Sequence, residues 1–263
     1  MTATSKKKIG FLSGLGAKNP YENYQLFAGE LSKQFDIEQI NLTTPDTLAQ
    51  KKPDVLVIAG VDAALGEKEK AQIKDYLDKG GAAMVMADAV SIDDQTLFIS
   101  ASKETISDLM KEYGISVDRK VLYDLKSNET IRFGDGPISY VLPYPFWARV
   151  FAVDNEVPPI LKLNTIVLPW ASPLHVNANV AKERQLTVTE LFKTSQFGGA
   201  QDVNFSALPS NEFSKDNLGA LTAAVSVVSQ KPAEGAGWAL RMVVVGDSDF
   251  LSDNYIAGSA ENL

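Results

Sequence analysis

The chain has 263 residues, no cysteine and a single histidine, with 45% hydrophobic and 22% charged residues. That composition supports a sizeable core, and it excludes disulfides, thiolate nucleophiles and any metal centre needing several histidines or thiolates. The 33 acidic against 25 basic side chains leave a formal charge of −8. This is the wrong sign for a phosphate backbone, so no nucleic-acid partner is expected.

Residues 8–12 read as a short buried strand running into the glycine turn Ser13-Gly14-Leu15-Gly16, and Pro20 sits where a first helical turn tolerates proline. Tyr24, Leu26, Phe27, Leu31 and Phe35 then recur at helical spacing. Residues 37–42 alternate like a strand, whereas 54–59 (DVLVIA) are continuously apolar, as in a parallel strand buried on both faces. Residues 67–79 form an amphipathic helical pattern closed by Gly80 and Gly81. A fourth strand follows at 82–87, and a further helix at 103–113 is stopped by Gly114. Strands alternating with helices through short connections predict parallel pairing and right-handed crossovers.

The pattern changes over residues 125–214. Pro137, Pro143, Pro145, Pro158, Pro159, Pro169 and Pro173 break that stretch into short extended pieces. Regularity returns with a strand-like run at 218–230 and a strong apolar strand at 240–245 that leads into Gly246-Asp247-Ser248-Asp249-Phe250. The expected fold is therefore one α/β domain over 7–263: a mostly parallel, Rossmann- or flavodoxin-like open sheet with helices on both faces. Residues 125–214 form a Pro/aromatic-rich, irregular β-rich insertion lobe within it. The uncharged stretch 162–182 is broken by prolines and asparagines, so no membrane span is expected. The first eight residues lack the apolar centre of a secretion signal. The chain itself is therefore expected to be soluble.

The catalytic motifs fail one after another. No phosphate-cradling Gly-x-x-x-x-Gly-Lys-Ser/Thr string exists. The Gly14-Leu15-Gly16 loop lacks the third glycine of a dinucleotide fingerprint, and strand two ends in Asn41-Leu42-Thr43 without a ribose-holding acid. Gly246-Asp247-Ser248-Asp249-Phe250 misses the closing glycine of a nucleophile elbow, and its two acids would oppose an oxyanion. His175 is the one available histidine base. Asp247 and Asp249 fit turn or helix capping better than a Mg²⁺ or Ca²⁺ site. No cofactor, no metal and no enzymatic activity are expected.

In an open parallel sheet the carboxyl ends of the strands border the ligand crevice. Ser13, Gly14, Gly16, Gly60, Asp62, Asp88, Asp247 and Asp249 should share that rim. An acidic rim with few cations suits a neutral polyol or a peptide segment better than an anion. Tyr144, Phe146 and Trp147 are either lobe core or a partner surface beside the rim.

The ordered set KIGFLSG (8–14), DVLVIAG (54–60), YLDKGG (76–81), Tyr113-Gly114-Ile115-Ser116-Val117 and VVVGDSDFLS (243–252) resembles the gliding-motility-type auxiliary component of ABC transporters. That family's sheet is similar to the class I glutamine amidotransferases without their cysteine nucleophile. The resemblance implies a non-enzymatic extracytoplasmic (periplasmic) binding or scaffolding domain, held by membrane helices outside this chain beside an ABC-2-type permease and its ATPase. Relatives often carry a histidine between the two glycines of the first loop, where this chain has Leu15. A carbohydrate- or nucleotide-modifying enzyme using the strand-end acids is one alternative. A purely structural partner domain is the other.

Overall fold

A computed structural model of the protein describes residues 6–93, 95–134, 139–209, 212–232 and 239–256; Pro137 lies outside the described residues. In chain order the first half contains β1 (Lys8–Ser13), α1 (Gln25–Ser32), β2 (Asp36–Asn41), α2 (Thr47–Lys51), β3 (Val55–Ala59), α3 (Glu67–Asp78) and β4 (Ala82–Met86). It continues with β5 (Val90–Ile92), β6 (Phe98–Ala101), α4 (Ile106–Lys111), β7 (Ile115–Val117) and β8 (Lys120–Asp124). The second half is strand-rich, with β9 (Asn128–Phe133), β10 (Tyr140–Ala152), β11 (Thr165–Pro169), β12 (Leu174–Val176), α5 (Ala178–Glu183) and β13 (Leu186–Lys193). Then come β14 (Gly198–Asp202), β15 (Phe205–Ser206), β16 (Thr222–Ser229), β17 (Arg241–Val245) and α6 (Asp253–Ile256).

The main sheet runs β11-β10-β13-β16-β17-β4-β3-β1-β2, with β9 paired to β10. The strands read from the sequence at 9–12, 37–42, 55–59, 83–87 and 242–245 are parallel neighbours within it. The sheet does not end there. Beyond β17 it continues through β16, β13, β10, β11 and β9, and every one of those pairings is antiparallel. The mostly parallel Rossmann- or flavodoxin-like sheet expected from the sequence is therefore wrong; the sheet is mixed. The reason lies in β16, TAAVSVVS, which is buried along most of its length. A central antiparallel strand covered on both faces is as apolar as a parallel one, so its composition carries no direction.

Each continuous apolar strand feeds two cores. Leu56 and Ile58 of β3 join α3 (Ile73, Leu77) and α4 (Leu109, Met110) on one face, while Val57 and Ala59 join Phe11, Met86 and Val245 on the other. This is the period-two alternation of a strand, and it places helices over both faces of the parallel half. A third core gathers Tyr144, Phe146, Trp170 and Val121 beside the antiparallel half.

The prolines of β10 sit where a sheet tolerates them. Over Tyr140–Tyr144 the strand pairs with β9, and its contact with β13 begins only at Phe151. Pro143 thus costs no hydrogen bond on a second edge. The helix read at 103–113 forms only over α4, because the fully buried Glu104 folds back and accepts from Ser107 N (2.9 Å) and Ser107 Oγ (2.5 Å). In the stretch read as strands, α5 is added, with Asn177 accepting from the amides of Asn179 and Val180 as its N-cap.

The turn after β17 is tight. Ser172 N donates to Gly246 O at 2.6 Å, and a Cβ at Gly246 would overlap the Ser172 carbonyl oxygen. Backbone cannot swing aside as a side chain can, so Gly246→Ala is expected to cost about 1–3 kcal/mol, the usual range for overpacking. A thermal melt at parental midpoint would show that the two segments separate freely.

Candidate functional site

The carboxyl ends of β1, β3, β4 and β17 converge, and the loops leaving them carry the polar residues singled out in the sequence. Ser13 ends β1 half-buried, and Gly14 and Gly16 follow with φ of 84° and 73°. Gly16 packs so closely against the Asp62 carboxylate that any side chain there would collide with it. The N–H groups of Asp62 and Ala63 donate to Leu15 O at 3.1 and 3.3 Å, which ties the first loop to the end of β3. Gly60, at φ 58°, leaves room for the Ser248 hydroxyl and the Lys18 stem.

Lys18 is the residue the sequence reading missed. Its ammonium lies 2.5 Å from Asp249 Oδ1 and 3.6 Å from Asp88 Oδ2. The rim judged poor in cations is thus organised around one. Burial by itself disfavours that ammonium, but the carboxylates of Asp88 and Asp249 outweigh it and hold its pKa above the ordinary lysine value. Asp88 also accepts from Ser248 N (2.7 Å) and Ser248 Oγ (2.5 Å). The Tyr24 hydroxyl donates to Ser248 O at 2.8 Å, and burial pushes that phenol upward.

Asp247 caps the short turn at Asp249–Leu251, accepting from Asp249 N (2.8 Å) and Phe250 N (3.1 Å). Asp253 does the same for another element, receiving Gln25 N and Leu26 N at 2.9 Å and so fastening the start of α1 to the segment after β17. Burial, with Asp249 and Asp88 beside it, raises the Asp247 pKa well above the ordinary carboxylate value. A raised folded pKa adds stability below the unfolded pKa, and that contribution is lost as pH rises through the folded value. The Asp247 contribution is expected to fall as pH rises above about 4, so Asp247→Asn is expected to lose less stability than the parent over that rise. Urea midpoints across that window measure it, and an identical slope in the variant would mean that Asp247 is ionised in the fold.

The chemistry open to this network is narrow. Ser248 is 0% exposed and Asp247 3%, so neither meets a substrate. His175 stands exposed with Nε2 2.9 Å from Asp118 Oδ2, engaged away from Ser248. Among the described residues no three His, Asp or Glu side chains gather into a metal cage, and the cation between Asp88 and Asp249 is the lysine itself.

Tyr144 and Phe146 are 1% and 0% exposed. They pack edge-to-face at 5.8 Å, and Trp147 joins Tyr144, Trp170 and Tyr255 at 6.2, 5.5 and 5.2 Å. The Tyr144 hydroxyl donates to Ala207 O and accepts from Trp170 Nε1. Of the two readings of these aromatics, lobe core describes Tyr144 and Phe146. The most exposed apolar side chains of β10 are instead Tyr140 and Val141, at 62% and 64%.

The family described as ABC-type uncharacterized transport system matches residues 6–262. The chain belongs to that family. It is an auxiliary component of an ABC-type transport system. Among solved structures this auxiliary protein is similar to the mmIFT52 N-terminal domain, at 18% identity and TM-score 0.63, over 97% of this chain and 92% of that one. At that identity the likeness concerns the fold alone. A ThuA-like protein from Bacteroides uniformis aligns at 12% identity and TM-score 0.48, over 100% of this chain and 89% of that one. No curated protein sequence matches. Among the described residues no helix is long and apolar enough to cross a membrane.

Proposed function

We propose that this chain is a non-enzymatic, extracytoplasmic binding or scaffolding domain that serves an ABC-2-type permease and its ATPase. One observation carries the non-enzymatic part: the strand-end acids and serine are consumed by one another and by Lys18. Asp88 holds Ser248 and Lys18, Asp249 holds Lys18, and Asp247 holds two amides. A general base or nucleophile must reach the reacting atom, and the fully buried Ser248 does not. What remains open on the rim is Gly14, Gly16 and Asp62, all exposed. That surface suits a polyol or a peptide segment of the transporter.

Co-purification of the full-length protein from its native membrane tests the partners. Recovery of the permease and the ATPase is expected, and their absence from a gently solubilised preparation would sink the assignment. Reporter fusions at the chain ends test the compartment, with an extracytoplasmic signal expected. The proposal also treats residues 7–263 as one folding unit with 125–214 as an insertion. Calorimetry is then expected to give a single transition, and two resolved transitions would overturn that unity.

A further inference from the structure

A cleft of about 920 Å³ lies at the opposite end of the sheet, where β1, β3, β4 and β17 begin, between α2 and α3. Its size falls within the roughly 300–1,000 Å³ typical of small-molecule sites. The floor is apolar, made by Leu48, Pro53, Ala49, Ala71 and the ring of Tyr76. Gly80 and Gly81 form one wall, and any side chain at Gly81 would run into the Tyr76 ring.

The charges around this floor do not cancel. Lys7, Lys52, Lys79 and Arg241 face Asp46, Asp54 and Asp75. Asp75 is taken by Lys79 at 2.8 Å, and Asp54 Oδ2 accepts the Lys8 amide at 2.8 Å. Among the described residues the Lys7 and Lys52 ammonium groups make no hydrogen bond or ion pair. A chain of net charge −8 therefore keeps a cationic mouth over an apolar floor. Surface lysines need no partner in water, but their convergence on a concave apolar surface is what an amphipathic anion requires.

We propose that this cleft binds a small organic anion with a flat apolar body, of the aromatic carboxylate class. Its charge is met by Lys7 and Lys52, and its body lies on Leu48, Pro53 and Tyr76. The site is independent of the strand-end rim, so its failure would leave the transporter assignment untouched.

Amide chemical-shift titration of the intact chain tests it with 1-naphthoate and its neutral counterpart, 1-naphthalenemethanol. Saturable shifts by naphthoate at Lys52, Gly80, Gly81 and Ala82 are expected, with the alcohol at least about tenfold weaker, a difference equal to 1.4 kcal/mol. The exposed double variant Lys7→Glu, Lys52→Glu is expected to keep the parental spectrum elsewhere and to lose naphthoate affinity by at least about tenfold. Equal binding of acid and alcohol would reduce the cleft to an apolar trap and overturn the proposal. So would shifts located away from the cleft, no shifts at all, or full naphthoate affinity in the folded double variant.

Discussion

Lys18→Met is expected to destabilise the protein by about 3–5 kcal/mol, the cost of leaving buried charges without their partner. The side chains of Lys18, Asp88 and Asp249 are only 19%, 22% and 25% exposed, so water compensates little. For a chain of this size that corresponds to a fall in Tm of roughly 6–20 °C. The variant leaves the carboxylates of Asp88 and Asp249 facing each other without the ammonium between them, which adds repulsion to lost attraction. A triple variant, Lys18→Met with Asp88→Asn and Asp249→Asn, removes the stranded charges, while the carboxamide introduced at position 88 still offers an oxygen to the Ser248 amide. It is expected to recover most of the loss, because replacing a whole buried ion cluster is often near neutral. If the single variant melts within about 2 °C of the parent, the ion cluster is decoration and not a structural tie.

Asp124→Ala is expected to cost about 3–4 kcal/mol, near the upper range of single substitutions. Asp124 is 0% exposed at the end of β8. Its Oδ1 receives Lys126 N, Ser127 N and Ser195 Oγ at 2.9, 2.8 and 3.0 Å, and Oδ2 receives Ser195 N at 2.7 Å. Four donors leave neither oxygen of this buried carboxylate unsatisfied. Removing it takes the acceptor from four part-buried donor contacts at once, and an orphaned donor costs more than a bond gains. Asp124→Asn keeps the Oδ1 acceptor but presents an amine to the Ser195 amide, so only partial recovery is expected. Equilibrium urea unfolding decides it, and a loss below about 1 kcal/mol would mean that water takes over these bonds.

Neither network was visible along the chain, and the reasons are physical. Asp124 reads locally as a turn aspartate, which it is for Lys126 and Ser127, yet its other half serves Ser195, 71 positions away. Lys18 reads as one more exposed lysine in a glycine-rich loop, but its partner Asp249 lies 231 positions on. The acids were legible because strand ends in a parallel sheet converge. Asp88 and Asp249 do meet there, and Asp247 does cap the turn after β17. The cation among them left no local mark, since a lysine's role depends on what desolvates it.

What the amino-acid sequence determined by itself is the parallel half: two-sided apolar runs such as VLVIA and RMVVV specify strands buried on both faces, and the glycines and helix periods between them specify crossovers. It also determined the absence of thiol chemistry. Only the tertiary structure decided that the sheet continues past β17 as an antiparallel array, that Tyr144 and Phe146 are interior, and that Lys18 closes the strand-end acids. Apolar runs encode how much surface must leave water, a non-directional quantity. They do not encode which strand lies alongside or which way it runs, and ion pairing between distant residues becomes defined only once those neighbours are in place.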